Sequence, residues 1–107
     1  MYGLIGEMIA TPGNRDELAA ILLSIGPMVG CTSYLIAKDI EDENVLWVTE
    51  VWENEAAHAA SLELPGVRAA IAEGRPKIAG FAQRVVTEPL GGHGLGTNGT
   101  SRPEIRP

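Results

Sequence analysis

The chain has 107 residues, 45% of them hydrophobic, and carries 14 acidic against 8 basic side chains for a formal net charge of −6. Length and apolar content support one domain with a modest core. The Lys and Arg residues are scattered rather than gathered into a stripe, which argues against nucleic acid as a partner.

A single cysteine, Cys31, excludes an intrachain disulfide and cannot alone build a thiolate metal site, so a reducing, cytoplasmic setting is the expectation. The run Met1 to Glu7 does not read as a secretion leader, and no stretch approaches the roughly 20 apolar residues of a membrane span. Asn98-Gly99-Thr100 matches a glycosylation acceptor, but without a leader the match carries no function.

The first element is a strand from Tyr2 to Thr11, closed by the turn at Pro12-Gly13. A helix follows, with Asn14 as N-cap, Glu17 completing a capping box, and Leu18, Ile21, Leu22 and Ile25 recurring at helical spacing. Gly26-Pro27 ends it. Cys31 to Ala37 reads as a second strand, and the acidic run Asp39 to Asn44 as a solvated hairpin loop leading to the third.

That third strand, Val45 to Trp52, is the most informative part of the chain. Alternation places Val45, Trp47, Thr49 and Val51 on one face and Leu46, Val48, Glu50 and Trp52 on the other. Neither face is polar, so each needs a cover: helices for one and, for the other, a second copy of the same sheet. Asn54 then caps a short helix through Leu62, Pro65 opens another with Val67, Ala70 and Ile71 on its apolar side, and Gly74-Arg75-Pro76 stops it. Ile78 to Thr87 is the last strand. Residues 1–89 therefore form one domain, and residues 90–107, rich in Gly and Pro, form a tail or an arm laid on a partner.

The order strand, helix, strand, strand, helices, strand is that of the ferredoxin-like split βαβ unit, an α+β fold with a four-stranded antiparallel sheet and helices on one face. The two-sided hydrophobicity of the third strand argues that two such sheets meet in a homodimer.

The segment Leu46-Trp47-Val48-Thr49-Glu50-Val51-Trp52-Glu53-Asn54-Glu55-Ala56-Ala57-His58, with Val67-Arg68-Ala69-Ala70-Ile71 and Arg75-Pro76 after it, resembles the antibiotic biosynthesis monooxygenase family, and within it the quinol monooxygenases. The likeness runs over about residues 2–89. It implies a dimeric α+β barrel with an apolar pocket in each monomer, and oxygenation of a small aromatic substrate, a quinol or an anthrone-type polyketide. Molecular oxygen would be the co-substrate, with no metal or flavin. The chemistry is feasible because a deprotonated phenol is itself a reductant; the protein supplies a base, an oriented pocket and exclusion of water. In one respect the chain departs from the family pattern. Many relatives carry a histidine nine positions after the tryptophan matching Trp52, where this chain has Ser61, and His58 lies three residues earlier, about 300° around a helix.

Among candidate chemical residues, His58 has an ordinary pKa near 6.5 that suits a general base, or it is a surface histidine without chemistry. Glu50 is either a pocket carboxylate with a raised pKa or a structural partner of an arginine such as Arg84. Trp52 and Trp47 offer flat surfaces for an aromatic substrate, or they are core. Tyr34 and Ser61 either bind a substrate oxygen or bond only to backbone. His58, His93 and Cys31 share no ligand spacing, so no metal is expected. A binding or regulatory barrel that holds a small apolar ligand without reacting is the alternative function, and a purely structural dimer is the third.

Overall fold

β1 (Tyr2–Ala10) lies inside the sheet and pairs on both edges, with β3 (Val45–Trp52) on one side and β4 (Ile78–Thr87) on the other. β2 (Cys31–Lys38) completes the order β2-β3-β1-β4, antiparallel throughout. The computed structural model describes residues 1–95; Asn98-Gly99-Thr100 and most of the expected C-terminal arm lie outside them. α1 (Arg15–Leu23) connects β1 to β2, while α2 (Glu55–Ser61), α3 (Pro65–Gly74) and a single 3-10 turn (Arg75–Lys77) connect β3 to β4. The ferredoxin-like α+β fold expected from the sequence is the fold observed.

Register decides which residues share a face. Leu4 stands opposite Glu50 and Val86, Gly6 opposite Val48 and Arg84, and Met8 opposite Leu46 and Phe81. Leu46 and Trp52 are fully covered and Val48 nearly so, which identifies this as the helix-facing side. The core beneath the helices has two centres. In one, Leu18 of α1 seals against Ala10 and Leu46; in the other, Trp52 packs against Met28 and Val67 of α3.

The local signals act much as the sequence suggests, with one exception. Asn54 caps α2 by accepting the Ala57 N–H at 2.8 Å, and Pro65 occupies the first turn of α3. The capping box expected at α1 does not form. Asn14 instead donates its amide to the Thr11 hydroxyl at 2.7 Å, and Glu17 pairs with Lys77 at 2.9 Å, so the helix start is fixed by contacts from outside the helix. Gly30 does need to be glycine. Its φ is +82°, and a Cβ there would stand 2.7 Å from the Ala57 side chain. Its carbonyl accepts the Glu53 N–H at 2.8 Å, and this close approach sets where α2 leaves the sheet.

The other face of the sheet is uncovered. Ile5, Thr49, Val85 and Leu35 line up across it, with Leu35 58% and Val85 44% exposed. Trp47 is on this face, its indole N–H donating to Asp39 at 2.8 Å.

The acidic hairpin is thus more than a solvated loop. Asp39 also accepts the backbone N–H groups of Asp42 at 2.8 Å and Glu41 at 3.0 Å. These bonds, that from Trp47 first, hold its carboxyl below the ordinary value of 3.8. Because the folded carboxyl titrates below its unfolded value, its stabilisation is complete above about pH 3.8 and is lost as the pH falls through the lowered folded value. Asp39→Asn is expected to be less stable than the parent at neutral pH and to converge with it in acid, as read by urea unfolding across a pH series.

Candidate active site

Gly6, at the middle of β1, gives the helix-facing side of the sheet a position without a side chain, and a cavity of about 320 Å³ opens there. Leu4, Gly6 and Met8 form its floor, with Val48 and Glu50 along the β3 flank and Phe81 and Arg84 along the β4 flank. His58 enters from α2 and Leu62 from the C-cap just past its end, one helical turn on. The lining is mostly apolar with three ionisable groups, Glu50, His58 and Arg84, in one hollow.

Trp52 holds two of those groups in place. Its indole N–H donates to Glu50 Oε1 at 2.9 Å, two residues back on the same side of β3. Its ring meets the His58 ring edge-on, with centroids 5.4 Å apart, and Tyr2 lies against the same imidazole at 5.7 Å. Trp52 itself is 1% exposed. It therefore positions Glu50 and His58 from within the core, which is the second of the two readings the sequence left open. The structural partner expected for Glu50 was Arg84; among the described residues no ion pair joins them, and the partner is Trp52.

The remaining candidates divide. Ser61 shares the sheet-facing side of α2 with His58, but it is buried and its hydroxyl donates to the His58 carbonyl at 2.6 Å, so it ties the helix turn that carries the imidazole. Tyr34, opposite Glu50 in the sheet, packs on the other side of the Trp52 cluster and donates its hydroxyl to the Leu22 carbonyl at 3.3 Å. Trp47 is on the opposite face of the sheet and is not part of this site. Cys31 packs against the Trp52 cluster as a small hydrophobe, and burial pushes its thiol up. Among the described residues, no group of three His, Cys, Asp or Glu side chains is placed to hold a metal ion, and no helix is long and apolar enough to cross a membrane.

Gly6, Met8, Leu62 and Phe81 were not singled out from the sequence. Gly6 carried a signal nonetheless: it interrupts the alternation of Leu4 and Met8 in a strand, where glycine often marks a close approach.

This fold, with an apolar hollow under its helices, defines a small ferredoxin-like domain. Residues 1–73 match the family model for antibiotic biosynthesis monooxygenase, and the chain belongs to that family. Among solved structures, a protein from Chloroflexus aurantiacus, provisionally named as an antibiotic biosynthesis monooxygenase, is 53% identical, with a TM-score of 0.87 over 89% of this chain and 98% of that one. A similarly named protein from Deinococcus radiodurans is 25% identical, with a TM-score of 0.72 over 86% and 95% of the two chains. PA3566 from Pseudomonas aeruginosa, at 18% identity and a TM-score of 0.74 over 84% of this chain and 94% of that one, shares the fold. No curated protein gives a significant match.

Burial raises the Tyr34 hydroxyl from its ordinary 10.0 to about 12, with the nearby Glu50 adding to the shift. The folded state thus prefers the neutral phenol, and the stability this confers is present below pH 10.0 and lost as the pH climbs toward about 12. Tyr34→Phe is expected to lose about 1 kcal/mol at neutral pH with the hydrogen bond to Leu22. It should also flatten the alkaline loss of stability, as measured by denaturant titration from neutral pH upward.

Proposed function

We propose that the protein is a cofactor-independent monooxygenase that oxidises a quinol-like or polyketide aromatic substrate with molecular oxygen. The observation that carries this reading is the mostly apolar cavity in which His58, Glu50 and Arg84 are the ionisable lining groups. His58 takes the proton of the aromatic hydroxyl, and the permanently charged Arg84 stabilises the phenolate. Trp52, by fixing Glu50 and packing on His58, keeps the base in place.

The phenolate passes one electron to oxygen, giving a phenoxyl radical and superoxide. Their recombination at a ring carbon forms a C–O bond and, with a proton, a hydroperoxide. Loss of water then breaks the O–O bond and leaves a carbonyl. One oxygen atom stays on the product, the other leaves as water, and the substrate supplies all four electrons that reduce the oxygen molecule. Family membership and the 53% identical Chloroflexus structure support the class of reaction; the substrate class rests on the cavity and its ionisable lining.

Oxygen uptake with 1,4-naphthohydroquinone or anthrone, after dialysis against chelator, is the direct test. His58→Ala is expected to lower kcat by about 10²–10⁴-fold, the usual contribution of a general base, while circular dichroism stays that of the parent. Turnover unaffected by His58→Ala removes the imidazole as the base, and no turnover across a broad panel of electron-rich aromatics leaves a barrel that binds an apolar ligand without reacting.

The open face of the sheet belongs to the same reading. Ile5, Leu35, Val51 and Val85 form an apolar surface of the kind that a second copy covers in a homodimer. The parent is expected to sediment as a dimer and Leu35→Glu as a monomer; a monomeric parent would remove this part of the proposal.

A further inference from the structure

Met8 and Phe81 form one border of the cavity above Gly6. Both side chains also line a second, larger hollow of about 480 Å³ between α1, α3 and the start of β4. Together the two hollows fall within the size range of small-molecule sites, ~300–1,000 Å³, and they differ in chemistry. The smaller holds Glu50, His58 and Arg84. The larger is walled by Leu18, Leu22, Ala70, Ile71 and Ile78, and Arg75 is the charged residue of its lining.

Gly6 is a second observation at the same place. No heavy atom lies within 4 Å of where its Cβ would stand, and its φ is not among the positive values that need glycine. A side chain would therefore fit both the backbone and the space, and would favour the strand over glycine. The strand gives up stability for an empty position directly under the ionisable groups, and a flat molecule lying on bare backbone is what such a position admits.

We propose that the ligand is an aromatic ring bearing an apolar chain: the ring lies on the Gly6 backbone beside His58 and Arg84, and an alkyl or isoprenoid-like tail passes over Met8 and Phe81 into the larger hollow. The inference rests on the quinol reading for the ring and adds the tail. Polar head and aliphatic tail are matched by two hollows of corresponding chemistry that share a boundary. Gly6 is then a specificity-determining residue, since any Cβ-branched side chain there occupies the ring's place.

The test uses 1,4-naphthoquinones carrying 2-alkyl chains of increasing length, with binding read by quenching of tryptophan fluorescence and turnover of the reduced forms read by oxygen uptake. Affinity is expected to rise by up to about fourfold per methylene buried, then level off once the larger hollow is full. Gly6→Val should retain or raise the thermal midpoint and weaken the whole series at least tenfold. Gly6→Ala, the smaller change, should weaken it less and serves if the valine variant does not fold. Ile71→Glu should flatten the dependence on chain length. Length-independent affinity in the parent, or binding unchanged in Gly6→Val and Gly6→Ala, overturns the inference. If the ring alone is turned over and chain length has no effect, the tail fails and the quinol reading stands; if binding rises with chain length but no hydroquinone reacts, the quinol reading fails and the tail survives.

Discussion

The Trp52 indole is the interaction on which the rest of the site depends. It is the point where core packing and site geometry coincide: one edge is sealed against Met28 and Val67, its N–H is committed to Glu50, and its ring braces His58. A buried indole N–H without a partner is costly, so the Glu50 carboxylate satisfies the core as much as it serves the cavity. Held this way, Glu50 is unlinked to Arg84, and the cation on β4 remains available to a ligand.

The layout of the cavity follows from the strand order. β1 lies between β3 and β4, so residues distant in the chain, Glu50 and Arg84, flank the same short stretch of backbone. α2 then descends onto that stretch because the Asn54 cap and the close contact of Gly30 with Ala57 leave it little choice of direction. Ser61 completes the arrangement by tying the turn below His58. Ser61 thus acts as a buttress, and the imidazole reaches the hollow from one turn earlier.

Much of this was legible in the sequence because local signals and global fold agree: the extent of β3, the Asn54 cap, the Pro65 start and the stop at Gly74 all appear where composition puts them. Which face of β3 would be covered by helices was not legible, since both are apolar, and so Trp47 and Trp52 both stood as candidates although Trp47 is on the open face. Tyr34 and Ser61 were ambiguous for a related reason. A hydroxyl that bonds to backbone and one that binds substrate look the same until the fold is known, and here the carbonyls of Leu22 and His58 claim them. The capping box at α1 failed because Asn14 and Glu17 found partners, Thr11 and Lys77, from outside the helix.

The position of β4 at the sheet edge bears on how the molecule comes into being. Its bond from Gln83 to Glu7 spans 76 residues. On the ribosome the first three strands and all the helices emerge before it does, and until it zips alongside β1 the hollow has no far wall and no arginine. A nascent chain that has not yet released β4 therefore lacks one side of the cavity. The cavity is completed only with the last strand, whose Phe81 and Arg84 close its β4 side.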